Sequence, residues 1–367
     1  MREKRFCRAG ILCGGISLIL WLAATQTEGF GEWYAGKVYP LLVFAVGGCL
    51  SAIPCSVGEL LLYFTGAGAL VYLLRRIMQM IQIVRHREEG RSFAGEFLRE
   101  CGRTLADLTA FLGILALIFM LGGGINYHRM TFAECEGLET ENITREELEK
   151  VCEIMVEQVN QAAEELSSDS IPGKKDLAKI ARMSIMDLSD TFDSLAGYFP
   201  EAKPVLGSRL LSMQKVTGIY SPFTIEANYN TEIPTFEEAF TICHELSHLK
   251  GYMREDEANF IAWASCYCSY NNYFRYSGAL EGFIYAGNAL YKYDKERYLE
   301  IRSGLCEMAE ADLAECSSFW HQFDGPVADT HEKVNNTYLK ANSQSDGVES
   351  YGRVVQLMVA YLLRVEA

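Results

Sequence analysis

Hydrophobic and polar positions change their rhythm near residue 125 of the 367-residue chain. Before that point the apolar residues come in long runs with few charges, the length a bilayer demands of a helix. Residues 9–25, with Ile11, Leu12, Ile16, Leu18, Ile19 and Leu20, form the first run; 57–75 and 105–125 form the second and third. Three transmembrane helices are predicted there. The apolar stretch 38–53 is short and closes at Pro54, so it reads as an interfacial or re-entrant segment, with a four-span topology as the alternative. Beyond residue 125 apolar residues recur at helical spacing. Thr144 to Ser167 has a capping-type start and an apolar face of Leu148, Val151, Met155 and Val159. Lys174 to Leu195 is a second amphipathic helix, ended by Gly197 and Pro200. Gly218 to Asn230 is rich in β-favouring residues and reads as extended. Helical patterns return over residues 275–290, 295–316 and 347–363.

Charge gives the apolar half a direction. Arg75, Arg76, Arg85, Arg87, Arg91, Arg99 and Arg103 lie between the second and third runs, and Arg2, Lys4, Arg5 and Arg8 precede the first. By the positive-inside rule both segments stay cytoplasmic. Residues 1–125 then form a membrane anchor in the lipid bilayer of the cell, and 126–367 an exported domain on the extracytoplasmic side. Up to residue 124 the chain has 12 Lys and Arg against 9 Asp and Glu, leaving 21 against 39 beyond it, a net charge near −18. Such a surface repels polyanions, so no nucleic-acid partner is expected. Seven of the twelve cysteines fall in this part, without a C-x-x-C. An odd number argues against a full disulfide framework, although Cys135 and Cys152 could pair. Oligomeric state is not legible.

The candidate chemistry is His244-Glu245-Leu246-Ser247-His248, an H-E-x-x-H. Residues four apart share a helix face, so the two imidazoles can meet one metal ion while Glu245 stands beside it as general base. Thr235 and Glu238 look like a capping box opening a helix from about 236 to 249, Gly251 supplies a turn, and Glu255-Asp256-Glu257 opens a second helix. A Glu from that helix would complete a three-ligand zinc site with an open position. Glu255 is preferred, with Glu257 behind it, and Asn259 one turn on steadies the ligands. The charged residues flanking the motif, Glu237, Glu238, Lys250 and 254–257, exclude a site inside the bilayer. His321, His331, Tyr351 and Arg353 are candidates to stabilise an oxyanion.

The Glu255-to-Asn259 spacing resembles the E-x-x-A-D of HtpX-type and CAAX-prenyl membrane gluzincins, a resemblance that implies Glu255 as the zinc ligand. A closer resemblance is to the bacterial domain-of-unknown-function family 3810, whose members look like membrane-anchored zinc proteases. It is carried by Pro54 to Glu59, Gly218 to Thr224, Phe240 to His248, Arg254 to Asn259, Tyr273 to Gly278, Gly325 to Ala328, Tyr338 to Asn342 and Ser350 to Arg353. Ser247 and Leu249 depart from the expected Ala and Gln, and neither is a proposed ligand.

The expectation is therefore a mainly α protein. Transmembrane helices precede a mostly helical, zincin-like α+β metallopeptidase domain with a small β element ahead of the H-E-x-x-H helix. Zinc would be held by His244, His248 and Glu255, with Glu245 as catalytic base acting on protein or peptide substrates. An edge strand within 218–230 would bind them by strand addition, unless the segment is a plain hairpin. The alternatives are a membrane sensor or scaffold with a structural zinc site, and an envelope amidase using the same metal chemistry.

Overall fold

The computed structural model describes residues 2–85, 93–140, 143–166, 171–342 and 351–365. The chain is mainly helical. Among the described residues four helical segments are long and apolar enough to cross a membrane: helix α1 (Arg2–Gln26), the run α2 (Phe30–Leu50), α3 (Val57–Arg85) and α4 (Phe93–Gly122). By length and composition α2 joins the three runs expected, because its helix starts at Phe30, eight residues ahead of the apolar stretch that was read as interfacial.

Packing among these segments fixes their directions. Gly10 and Gly14 of α1 lie against Ala110 and Gly113 of α4, so closely that a Cβ on Gly10 would stand 2.1 Å from the Ala110 Cα. Small residues four apart let two backbones approach in this way. Gly10 meets Ala110 and Gly14 meets Gly113, so α1 and α4 run parallel, and Gly31 after α1 touches the short turn Gly124–His128 after α4. Helix α3 is antiparallel to α4: its first turn and the end of α4 both meet residues 221–224, while Tyr72 and Arg76 reach Asp107, and Arg76 also Glu100. Arg85 ends α3; Arg87 and Arg91 lie outside the described residues.

Segment α2 does not sit among α1, α3 and α4 alone. Tyr39 and Val43 are 1 % and 3 % exposed, the Tyr39 hydroxyl is 2.7 Å from that of Tyr220, and Gly47 abuts Ile225 and Pro200. Its last carbonyl, Leu50, accepts from Lys203 Nζ at 2.7 Å. Lys203 also pairs with Glu226 at 2.5 Å, both side chains buried, and Glu226 in turn accepts from the amides of Val57 and Gly58 at the start of α3. One buried ion pair therefore sets a cation on a helix C-terminus and an anion on the next N-terminus, each matching the helix dipole. Glu59 accepts from the amides of Leu206 and Gly207.

The remainder is built around helices. After α5 (Phe132–Glu136) come α6 (Arg145–Glu164), which has the expected capping box of Thr144 and Glu147, and α7 (Lys174–Leu188). Helix α7 stops short of Leu195, and a 3-10 turn takes residues 193–195. A three-stranded sheet follows, with β1 (Lys203–Pro204), β2 (Gly218–Ser221) and β3 (Glu226–Tyr229) in the order β1-β3-β2, so that β2 is an edge. The segment expected to be extended is thus a hairpin, with Ile225 in the left-handed region at its turn. The short helix α8 (Ser208–Ser212) lies between β1 and β2.

Next are α9 (Thr235–Leu249), α10 (Glu255–Tyr267) and α11 (Asn272–Tyr293). The capping box expected at Thr235 and Glu238 is absent. Pro234 occupies the cap position, which puts Thr235 already inside the first turn. The helix expected over 295–316 is two, α12 (Lys295–Arg302) and α13 (Glu307–His321), because the chain turns at Ser303 and Gly304. Helix α14 (Pro326–Ala341) was not anticipated, and α15 (Tyr351–Val359) ends the chain with a π turn. The core centres on α9, α10 and α11, where Cys243, Leu246, Phe260, Trp263 and Phe274 are fully buried. Among the described residues no disulfide forms, so Cys135 and Cys152 are not bridged. Cys266 packs in the core 3.6 Å from Cys243, and Cys268 is exposed.

Candidate metal centre

Helix α9 brings His244 and His248 to one face, their Nε2 atoms 3.1 Å apart. The chain then turns at Gly251, φ +92°, a conformation that glycine adopts without strain, and α10 returns alongside α9. Its first residue, Glu255, places Oε2 3.4 Å from His244 Nε2 and Oε1 3.8 Å from His248 Nε2. One ligand atom from each of the three residues lies within 4.8 Å of the others. Tetrahedral zinc with ligands at about 2.0–2.1 Å separates its donors by roughly 3.3 Å, so the spacing fits.

Orientation fits as well. His248 Nδ1 donates to the Tyr252 carbonyl at 2.8 Å; a carbonyl can only accept, so Nε2 is left with its lone pair toward Glu255. Asn259 lies beside His244 and favours its protonated form, although His244 Nδ1 makes no hydrogen bond. Glu257 does not reach the cluster. Its carboxylate accepts from the Phe132 amide at 2.9 Å and from Arg254 at 2.8 Å, and Arg254 also donates to the Arg129 carbonyl at 2.8 Å. The acidic run at 255–257 is thereby divided, with Glu255 at the site and Glu257 tying α10 to the segment that leaves α4.

Glu245 is buried, and its Oε2 has no hydrogen-bond partner. It packs against β2 at Gly218, where a Cβ would stand 2.5 Å from Glu245 Oε1. Burial pushes its carboxyl up to about 8; His244 pulls it down and Glu255 pushes it up. Burial takes His248 down to about 4. Glu255 is also pushed up by burial, but the hydrogen bond with His244 and the charges of both imidazoles bring it down to about 2. For His244 burial lowers and Glu255 raises, the latter prevailing. A His-His-Glu donor set around a buried, unpartnered carboxylate suits a divalent cation of zinc's ligand preference.

The site opens into a cleft of about 1130 Å³ lined by β2, α9, α11 and α14. Of the residues considered for oxyanion stabilisation, His331 lines this cleft. His321 is 83 % exposed and pairs with Asp324, and Arg353 is ion-paired with Asp256 on α10 and does not line the cleft. Tyr351 opens α15, and its side chain lies outside the described residues. Two tyrosines that sequence reasoning missed stand at the site. Tyr127 and Tyr338 both line the cleft, their hydroxyls 3.0 Å apart, and both feel the charge of Glu255. Only one hydroxyl of the pair can donate to the other, so one O–H remains for a ligand. Tyr127 follows the last apolar run, and Tyr338 opens the block Tyr338 to Asn342 that helps carry the family resemblance, but no spacing tied either of them to the site. Ser247 bonds back to the Cys243 carbonyl and Leu249 is fully buried, so the two departures from the expected motif pack away from the site.

Residues 34–359 match the family model described as "Protein of unknown function (DUF3810)", and the chain belongs to that family. No curated protein and no solved structure matches it.

Proposed function

For this DUF3810 member we propose a membrane-anchored, zincin-like zinc metallopeptidase that hydrolyses peptide bonds of protein or peptide substrates at the outer face of the membrane. The observation that carries this reading is the convergence of His244, His248 and Glu255 on one point beside the unpartnered Glu245 carboxylate. A structural metal site has no need of such a base. Bound zinc would supply Lewis acidity and make water a nucleophile near neutral pH. Glu245 Oε2 takes the proton from the attacking water and returns it to the leaving amine. The spare hydroxyl proton of the Tyr127–Tyr338 pair is the donor for the developing oxyanion. The edge strand β2 beside Glu245 aligns an extended peptide by main-chain pairing.

Helix directions support the topology. If α2 crossed the bilayer, four alternating spans would make α1 and α4 antiparallel, whereas they run parallel. Three crossings, α1, α3 and α4, satisfy the packing, and α2 then lies on the same side as the sheet. By the positive-inside rule, Arg75, Arg76 and Arg85 toward the end of α3 with Arg99 and Arg103 in the first part of α4 favour a cytoplasmic position for the opposite side, and so an outside position for the sheet.

Metal content of the purified full-length protein in detergent tests the site, together with cleavage of a fluorogenic peptide library. Near one zinc per chain is expected, lost in His248→Ala and Glu255→Gln and kept in Glu257→Gln, with cleavage abolished by chelator. Zinc without cleavage would favour a structural site in a sensor or scaffold; a folded protein that takes up no zinc ends the proposal.

A further inference from the structure

Two turns before His244 on α9, the cleft is lined by a second pair of acids. Glu237 of α9 and Glu281 of α11 are each 9 % exposed, and both face the same cleft as the metal ligands. Glu237 accepts from Trp320 Nε1 and from the Cys316 thiol, each at 3.1 Å. Glu281 has no hydrogen-bond or ion-pair partner among the described residues, although its charge is close enough to Glu237 for the two to repel. A buried carboxylate without a partner is costly unless a cation or donor meets it. No lysine or arginine of the lining pairs with Glu281. Asp329 and Glu332 add acids, and the one lysine, Lys215, is ion-paired with Asp324.

Resting on the peptidase reading, we infer that Glu281 and Glu237 form a subsite for the side chain of a Lys or Arg flanking the cleaved bond. Distance selects the side chain over a free amino terminus. Residues 237 and 244 are separated by about 10 Å along the helix at 1.5 Å per residue. An α-amino group would have to lie about three residues from the cleaved bond to span this, at about 3.3 Å per residue. A Lys or Arg next to that bond covers much of it with its own flexible stem. Burial pushes both carboxyls up, and the charge of Glu237 pushes Glu281 up further; a bound cation offsets both effects.

Binding of fluorescein-labelled, N-acetylated decapeptide libraries to the full-length protein in detergent, with and without added zinc, tests the subsite. The libraries carry a fixed central Lys, Arg, norleucine or Glu. Lys and Arg libraries are expected to bind at least about tenfold more tightly than the norleucine library, and the Glu library least. Glu281→Gln should erase the advantage at unchanged zinc content. The comparison within the unaltered protein needs no variant. Equal affinity across the four libraries, absence of binding included, overturns the inference. So does a preference for a norleucine library with a free amino terminus. A basic preference in binding with no zinc-dependent cleavage would remove the peptidase reading and leave the subsite; cleavage without the preference would do the reverse.

Discussion

His248 donates its Nδ1 proton to the carbonyl of Tyr252 at 2.8 Å, and that carbonyl is where it is because the intervening Gly251 sits at φ +92°. The turn at Gly251 thus sets the tautomer of a proposed metal ligand three residues back. A Cβ at Gly251 would also press on the Tyr39 ring at 3.4 Å and on Asn126 at 3.3 Å. Gly251→Ala is expected to cost about 1–2 kcal/mol in the left-handed conformation. By shifting the Tyr252 carbonyl it should also weaken zinc binding by roughly 10–100-fold. Chelator competition and a thermal melt measure the two effects; unchanged zinc affinity in a destabilised variant would detach the turn from the ligand.

The proposed base and the proposed oxyanion donor should separate from metal binding. Glu245→Gln should retain zinc and lose about 10²–10⁴-fold in turnover, and Tyr338→Phe should retain zinc and lose about 10²–10³-fold in kcat. Gly218→Ala, which crowds Glu245, should resemble a mild Glu245 variant. Full turnover in Tyr338→Phe would assign the donor elsewhere, with His331 next.

At the proposed site zinc would have to displace a proton that Glu255 holds on His244, whose pKa is raised above 6.5. The stabilisation from charged His244 is complete below pH 6.5 and fades as pH rises through its elevated value, while zinc binding gains over the same window. The rise in melting temperature on adding zinc should therefore grow from pH 5.5 to 7.5. A zinc-induced rise that stays constant across this range would contradict proton competition at His244.

Lys203 and Glu226 hold the end of α2 and the start of α3 against the sheet. Removing one partner leaves a buried charge, so Glu226→Ala or Lys203→Ala should cost about 3–5 kcal/mol. Replacing both should cost less than the sum of the single changes. Melts of the three variants in detergent measure this, and additive losses would mean that the pair does not act as a unit.

Local sequence determined the parts of this protein that depend on local periodicity. The spacing of His244 and His248 is a helix turn, Glu255 is the first residue of the next helix, and the long apolar runs need no tertiary partner to be recognised. Capping at Thr144 was legible for the same reason, while at Thr235 the neighbouring Pro234 took the cap position and no capping box forms. Tertiary structure alone decided what depends on distant segments. It joined Tyr127 to Tyr338 across 211 residues and took Arg353 to Asp256 across 97. It also laid α2 on the sheet and set Glu281 beside Glu237. A helix repeat records which face of a segment is apolar, but not which other face it meets. Contacts between remote side chains are fixed only when the packed core chooses among many compatible faces.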